Sequence, residues 1–220
     1  MKRTADTRER LIAAAEELFA TNGLQAVSLR EIVRASGARN TAALQYHFGD
    51  RTGLVRAVLE KHQLDVDTRR HAMLDTYEDE GEADLWALAR ALVQPLAAKL
   101  ADPDGGSAYL QVLAELMNRP QPALDAAVFD DPEDSWFRWR ELVAPLLSDD
   151  ALRLHRRFVV LRFAVVELAR RADSAPHTDD RLFVSHLVDL VAALLAAPPS
   201  AQTLRLASAR DAALALSGAA

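Results

Sequence analysis

Cysteine is absent from this chain of 220 residues. Its absence excludes a disulfide framework, a thiolate zinc site and a cysteine nucleophile, and it is typical of proteins in a reducing cytoplasm. No apolar signal-peptide core follows Met1, and the longest apolar run, near Leu190–Pro199, is too short to cross a bilayer. We therefore expect a cytoplasmic protein without a membrane partner.

The residue patterns of common catalytic and metal sites are missing as well. The six histidines form neither an HExxH nor an HxxxH pair, and the sequence has no glycine-rich phosphate loop and no GxSxG motif. Paired carboxylates occur at Asp130-Asp131 and Asp149-Asp150, where we interpret them as helix caps rather than catalytic acids. We predict a protein that is not an enzyme, with no catalytic residues, no cofactor and no metal ion.

Charge is unevenly distributed along the sequence. The whole chain has a formal net charge of −6, which argues against general affinity for nucleic acid. Residues 1–56 nevertheless carry nine lysines and arginines against six acidic residues, a net +3, and the remainder carries −9. A small basic segment on an acidic body suits a DNA-binding protein with a separate sensing domain, although chance patchiness would give the same split.

Helical periodicity covers nearly the whole chain, and no segment alternates as a strand does. The first helix is predicted over about 5–21, ending at Asn22-Gly23. A second begins at Ser28 and stops at Ser36-Gly37, a third covers about 39–47, and Asp50 caps a long fourth helix that reaches the seventies. Later helices are predicted at roughly 83–100, 105–118, 133–148, 150–173, 178–197 and 200–217, with a loop or short broken helix over 119–132. The predicted fold class is all-α.

The segment 28–47 has the pattern of a helix-turn-helix. Ser28 and Glu31 are spaced as a capping box, in which the hydroxyl and the carboxylate satisfy free backbone amides at a helix start. Gly37 supplies the turn, and Leu44 and Phe48, four residues apart, face the core. The other side of the third helix is then free to enter a major groove. Pattern alone does not separate this arrangement from simple helix packing.

A family resemblance strengthens the helix-turn-helix interpretation. The stretches Leu24–Gly37 (LQAVSLREIVRASG) and Leu44–Leu54 (LQYHFGDRTGL) resemble the TetR/AcrR family of bacterial transcriptional regulators. The resemblance covers about residues 5–60. It implies a homodimeric repressor with a three-helix DNA-binding domain over residues 1–49 and a larger helical ligand-binding and dimerisation domain over residues 50–220.

The same resemblance implies which residues meet DNA. Ser28 and Arg30 would touch phosphate or a base edge, and Tyr46, His47 and Arg51 would touch the DNA backbone. The helix that enters the groove would use Thr41, Ala42 and Gln45. The full predicted DNA-binding set is Ser28, Arg30, Arg39, Asn40, Thr41, Ala42, Gln45, Tyr46, His47 and Arg51.

Two departures from the family pattern leave the register of the third helix open. The chain has one residue more between Gly37 and Phe48 than the usual spacing, and Gln45 stands where tyrosine is usual. Either Arg39 or Asn40 could then read a base. His47 could pack against the first helix instead of touching DNA.

The resemblance also implies a dimer built from the last two long helices of the core. The helix over 178–197 is apolar nearly all round, which suits contact with both its own core and a partner, although a fully internal helix would look the same. A two-fold dimer fits a palindromic DNA site. The predicted interface residues are Phe183, Leu187, Leu190, Val191 and Leu194.

A ligand pocket is expected among the helices that follow the DNA-binding segment. Aromatic residues cluster there, and they favour a mostly apolar inducer unless they are ordinary core residues. The predicted pocket set is Trp86, Arg90, Tyr109, Glu115, Met117, Trp136, Trp139 and Arg162.

Taken together, these features predict a transcriptional repressor that a small molecule releases from operator DNA. An activator, or a regulator that needs no ligand, would have the same sequence features. The remaining alternative is an all-α enzyme or small-molecule-binding protein in which residues 1–56 merely pack. The inducer, the operator sequence and the regulated genes are not encoded in any motif of the chain.

Overall fold

The computed structural model describes residues 2–38, 40–119, 133–174 and 177–217, and within these ranges the chain is helical with no strand. The all-α prediction is confirmed. Arg39, Asp130-Asp131 and nearly all of the predicted loop over 119–132 lie outside the described residues. The helices are α1 Lys2–Asn22, α2 Leu29–Ala35, α3 Thr41–Phe48, α4 Arg51–Glu80, α5 Leu85–Ala97, α6 Gly106–Met117, α7 Ser135–Val143, α8 Asp149–Arg153, α9 Arg156–Asp173, α10 Arg181–Ala196 and α11 Ala201–Ser217.

Helices α1, α2 and α3 form a head around one apolar core. α1 lies against both short helices and contributes Leu11, Ala15 and Phe19, while Ile32 comes from α2 and Leu44 from α3. All five side chains are at most 2% exposed. Burying a large apolar side chain stabilises a fold by about 1.5–3 kcal/mol. Helices as short as α2 and α3 are not stable alone, so this shared core holds them in place.

The helices from α4 onward form a larger body. α4 packs against α1 and α3 of the head and against α5 and α7 of the body. Within the body, α6 lies against α9, α5 lies against α10, and α9 and α10 lie against each other. The buried apolar residues form one continuous cluster from head to body.

A proline inside α5 explains a buried arginine of α4. Pro95 has no backbone N–H, so the carbonyl of Ala91, four residues earlier, lacks its helical partner. The Nε of Arg70, a residue only 3% exposed, donates to that carbonyl at 3.2 Å, and Nη1 donates to Ser135 Oγ at 2.8 Å. Burial lowers the pKa of Arg70, and the nearby Asp67 carboxylate opposes that effect. The arginine therefore joins α4, α5 and α7.

Two predicted helix boundaries in the body are wrong. The helix expected over 133–148 ends at Val143 and continues as a 3₁₀ turn over Ala144–Leu146, because Pro145 cannot donate the next helical hydrogen bond. The helix expected over 150–173 is two helices, α8 and α9. The break lies at His155, which has a left-handed backbone conformation with φ of 56°.

Among the described residues no single helix is long and apolar enough to cross a membrane. The pair Arg181–Ala196 and Ala201–Leu214, bent by 58°, meets the length and composition criteria only when the two are taken together.

His155 provides a direct test of the break between α8 and α9. It is the only described residue other than glycine with a positive φ, a conformation that costs an ordinary residue about 1–2 kcal/mol. His155→Gly should therefore raise the free energy of unfolding by about 0.5–1 kcal/mol, measured by urea denaturation. His155→Ala is the control, because it removes the imidazole but keeps the backbone cost. Equal stabilities of the two variants would contradict the assignment.

Candidate nucleic-acid interface

The predicted capping box is present at the start of α2. The Ser28 hydroxyl accepts from the Glu31 amide at 3.3 Å, and Glu31 Oε2 accepts from the Ser28 amide at 2.7 Å. The backbone and side-chain hydrogen bonds from Ser28 hold the pKa of Glu31 below its ordinary value. The pair fixes the point at which the chain enters α2.

The turn between α2 and α3 depends on Ser36 and Gly37. Gly37 has φ of 69°, which L side chains rarely adopt, and this explains why a glycine ends α2. The buried Ser36 hydroxyl donates to the Val33 carbonyl at 2.9 Å and accepts from the Ala38 amide at 3.3 Å. These bonds set the angle at which the chain leaves α2 towards α3.

α3 begins at Thr41, two residues later than predicted, because Asn40 is extended with φ of −158°. Leu44 is 2% exposed and faces the head core as predicted, while Phe48 is half-buried beneath the Arg8 guanidinium at 5.6 Å. The solvent side of α3 presents a continuous row in which Tyr46 is 80% exposed. The exposed members of this row are Thr41, Ala42, Gln45 and Tyr46.

The remaining predicted DNA-binding residues differ in accessibility. Ser28, Arg30 and Asn40 are exposed, and the Asn40 side chain makes no helix-cap hydrogen bond. His47 is half-buried, with its ring 5.1 Å from that of Tyr46, so both of its predicted roles stay open. The open choice between Arg39 and Asn40 also remains, since Arg39 lies outside the described residues.

Arg51 has inward contacts that the sequence does not predict. Its guanidinium turns inward, where Nη1 donates to the Val27 carbonyl at 2.6 Å and the charge lies 5.2 Å from the centre of the Phe19 ring. Nη2 is buried as well. A guanidinium in this position ties the start of α4 to α1 and to the turn before α2, and its contact with the DNA backbone stays a prediction. A sequence match identifies the position but not the direction of a long side chain.

Three open clefts among the described residues, with volumes of about 490, 500 and 610 Å³, are lined by residues other than the predicted pocket set. Tyr109 and Trp139 lie in the core, at 1% and 0% exposure, and Trp139 donates to the Leu88 carbonyl at 2.8 Å. Trp136 stacks on Trp139 with ring centres 5.0 Å apart.

The polar members of the predicted pocket have other contacts. Glu115 accepts from the Leu24 amide of the head at 2.7 Å. Trp86 donates to Asp189 at 3.0 Å, with the Arg90 guanidinium 5.1 Å from its ring centre. Arg162 is exposed on α9, and its role as a ligand anchor stays a prediction.

The remaining predicted residues are Met117 of the pocket set and those of the dimer interface, and they lie partly in the core and partly at the surface. Met117 is half-buried at the end of α6. On α10, Leu187 and Val191 are buried in the chain's own core at 2% and 0% exposure, whereas Leu190 and Leu194 are 39% and 37% exposed. Phe183 is half-buried beneath the Arg171 guanidinium. The helix therefore has an inner face and a second apolar face that the described residues leave partly exposed.

Residues 11–58 match the family model described as bacterial regulatory proteins, tetR family. This segment is a tetR-family domain. It contains most of the head and the start of α4, so the helix-turn-helix built by α2 and α3 lies within the segment that matches this family of DNA-binding regulators, where the sequence predicts it. No curated protein sequence matches the chain.

Several solved structures resemble the chain as a whole. A gamma-butyrolactone receptor (ArpA-like protein) is 24% identical over 87% of this chain and 98% of its own, with a TM-score of 0.48. The multidrug binding protein EbrR, complexed with imidazole, is 19% identical over 88% and 92%, with a TM-score of 0.49. AmtR from Mycobacterium smegmatis is 19% identical over 92% and 93%, also with a TM-score of 0.49. The family assignment rests on the tetR-family domain and not on these likenesses.

Arg51 can be tested for the structural role that its geometry indicates. Arg51→Ala should lower the free energy of unfolding by about 1–2 kcal/mol, because it removes a charged hydrogen bond and a cation–π contact. Arg56→Ala is the matched control, since Arg56 is exposed on the same helix. Thermal and urea unfolding measure both. A variant as stable as the control would show that Arg51 is free for another role.

Proposed function

We propose that the chain is a homodimeric transcriptional repressor that leaves a palindromic operator when it binds a small, mostly apolar molecule. The observation that carries the proposal is the exposed row of α3, held out by the buried Leu44 within a tetR-family domain. Such a row can enter a major groove, which admits one α-helix. We propose residues 1–49 as the DNA-binding domain, residues 50–220 as the ligand-binding and dimerisation domain, and the cytoplasm as the place of action.

The chemistry of the exposed residues suggests a division of roles on DNA. Gln45 is suited to bidentate hydrogen bonds with adenine, and Ala42 allows the helix backbone to approach the base edges. Tyr46 can donate its hydroxyl to a phosphate, and Arg30 brings a positive charge to the start of α2. The Ser28 hydroxyl is already used by the capping box, so we assign the phosphate contact at this end to Arg30.

Homodimer formation is supported by the second apolar face of the body. Leu190 and Leu194 lie one turn apart on α10, and Phe158 and Val159 of the adjacent α9 are 37% and 41% exposed. A large apolar area of this kind marks an interaction surface. Pairing it across a two-fold axis would give a bundle of two helices from each chain and would bring two copies of α3 to one palindrome.

Two buried donors support the ligand proposal. The indole nitrogen of Trp136, a residue 5% exposed, and the Nε of the half-buried Arg90 have no hydrogen-bond acceptor within the described ranges. A buried donor without a partner costs about 1–3 kcal/mol, and a bound molecule with an acceptor group would remove that cost. Aromatic walls with a few polar groups are typical of sites for apolar small molecules.

DNA binding can be tested with two substitutions, one that affects overall affinity through a phosphate contact and one that affects base preference. Arg30→Ala should weaken binding about tenfold on all sequences and reduce the slope of log affinity against log salt by about one, because one phosphate contact is lost. Gln45→Ala should instead relax base preference at one position by about 1–3 kcal/mol. Electrophoretic mobility shift on fragments upstream of the chain's own gene, followed by footprinting, measures both.

The matched controls lie on α11, where Arg205 and Gln202 are both exposed. Arg205→Ala and Gln202→Ala should leave DNA affinity unchanged. Failure of the wild-type protein to retard any fragment at low salt would contradict the proposed function. In a reporter assay a repressor lowers output, and output that rises with the protein would identify an activator.

The proposed dimer can be tested at Leu190. Leu190→Glu places a charge in the apolar interface and should convert the dimer to monomer, as measured by sedimentation equilibrium. Leu64→Glu, at a position 76% exposed on α4, makes the same change away from α9 and α10. Identical masses for Leu190→Glu and wild type would rule out this face as the interface.

A further inference from the structure

A buried ionic cluster joins the head to the body. We define the Glu16 cluster as Glu16 of α1, Lys61 and His62 of α4, and Lys99, Asp102 and Asp104 from the segment before α6. Glu16 is its only member from the head. The Glu16 residue is 3% exposed, so its charge is removed from water and depends on its partners.

Both carboxylate oxygens of Glu16 are used. Oε2 accepts from Lys61 Nζ at 2.8 Å, and Oε1 lies 2.9 Å from His62 Nε2. Since an ionised carboxylate only accepts, the His62 nitrogen is the donor. Two bonds to neighbouring residues of α4 fix the position of α1 and its rotation.

The body residues of the cluster are held by one another. Lys61 also donates to the Asp104 carbonyl and carboxylate, each at 2.9 Å. Desolvation lowers the pKa of Lys61, but the hydrogen bonds to Glu16 and Asp104 outweigh it and raise that pKa above its ordinary value. Lys99 Nζ lies 3.1 Å from Asp102, whose carboxylate is in turn 3.6 Å from His62 Nδ1. The body members of the cluster therefore have contacts with one another as well as with Glu16.

Gly105 forms the wall against which Glu16 packs. It has φ of 87°, and a Cβ added there would lie 2.6 Å from Glu16 Oε2 and 2.9 Å from Glu16 Cδ. A side chain at position 105 would thus displace the carboxylate. The segment that precedes Gly105 borders two clefts. Ala101, Asp102 and Asp104 line both the 500 Å³ cleft and the 610 Å³ cleft.

A second polar contact lies at the other end of α6. Glu115 Oε2 accepts from the Leu24 amide of the head at 2.7 Å. Gly105 and Glu115 are about 15 Å apart along the helix axis. The start of α6 therefore lies close against Glu16 at Gly105, and its far end bonds the head through Glu115. α6 also packs along α9, one of the two helices proposed to form the dimer.

We propose that the Glu16 cluster orients the DNA-binding head on the body and thereby sets the spacing at which a dimer presents its two α3 helices. None of these residues belongs to the exposed row of α3, so their effect on DNA is that of positioning residues. Hydrogen bonds are directional, whereas the burial of apolar surface between α1 and α4 is not. Loss of the cluster should loosen the orientation without unfolding the head. The effect on DNA rests on the proposed function, but the orientation of the head does not.

Distance measurement between spin labels tests the orientation without DNA. Because the chain has no cysteine, Ala42→Cys on α3 and Ala83→Cys before α5 introduce the only two labelling sites, both at exposed positions. Full-length labelled protein is diluted with unlabelled protein so that distances within one chain dominate. Glu16→Gln, in which the amide can accept from only one of the two partners, should shift or broaden the distance distribution.

Two matched controls separate this effect from general damage. Glu17→Gln removes the same charge at an exposed position of α1 and should leave the distribution unchanged. Gly105→Ala displaces Glu16 with no change of charge, and Gly81→Ala imposes a similar backbone cost at φ of 67° with nothing within 4 Å of the added Cβ. Gly105→Ala should match Glu16→Gln, and Gly81→Ala should match wild type.

Each outcome decides the proposal. Distributions identical to wild type in both Glu16→Gln and Gly105→Ala overturn it, as does an equal change in Gly81→Ala. If Glu16→Gln fails to fold, Gly105→Ala against Gly81→Ala carries the test.

A DNA measurement then separates the two hypotheses. On palindromes with altered half-site spacing, Glu16→Gln should bind the preferred spacing about tenfold more weakly, with the salt slope unchanged. An altered distance distribution in a protein that never binds DNA would contradict the proposed function while the orienting role stands.

Discussion

The burial of the Glu16 carboxylate is the constraint on which the relation between head and body depends. A charge removed from water is tolerated only when its partners are fixed. Here both partners, Lys61 and His62, come from α4, and Asp104 of the segment before α6 holds Lys61 in turn. The same helix α1 carries the apolar core of the head through Leu11 and Phe19. α1 therefore takes part in two kinds of packing, and a movement that preserves one has to alter the other.

α4 packs against the head at its start and against the body farther along. Its buried residues Leu54, Val58, His62, Val66 and Arg70 recur every four residues. A step of four residues advances about 40° beyond one full turn, so the buried stripe winds slowly around the helix. Near Leu54 it faces the head, and by Arg70 it faces α5 and α7. The polar members, His62 and Arg70, lie between the apolar ends of the stripe, Leu54 and Leu74, where the helix exchanges one set of neighbours for the other.

The distance along the chain between contacting residues explains what sequence analysis could and could not predict. The capping box at Ser28, the turn at Gly37 and the inward Leu44 depend on neighbours within a few residues, and all three are present. The break at His155 has neither glycine nor proline to mark it. The inward turn of Arg51 depends on a carbonyl far away in the sequence.

The Glu16 cluster lay outside sequence prediction for the same reason. The partners of Glu16 are separated from it by 45 and 46 residues along the chain, at Lys61 and His62. In the sequence, Glu16 and Glu17 have the pattern of an ordinary exposed pair on an amphipathic helix. Only Glu17 is exposed. Local patterns therefore predict the shape of the DNA-binding head, whereas its attachment is a property of the folded chain.

The division between apolar and polar contacts has a consequence for how such a protein can switch. Apolar burial supplies most of the free energy that holds α1 against α4, and it is not directional. The hydrogen bonds of Glu16 to α4 and of Glu115 to Leu24 supply less energy but depend on distance and angle. A change in the body that moved α6 slightly would therefore weaken the Glu115 bond before it disrupted the apolar core, and a shift of α1 on α4 would do the same to the Glu16 bonds. The head would then change orientation as a folded unit, which is what a regulator needs if DNA release is to be reversible.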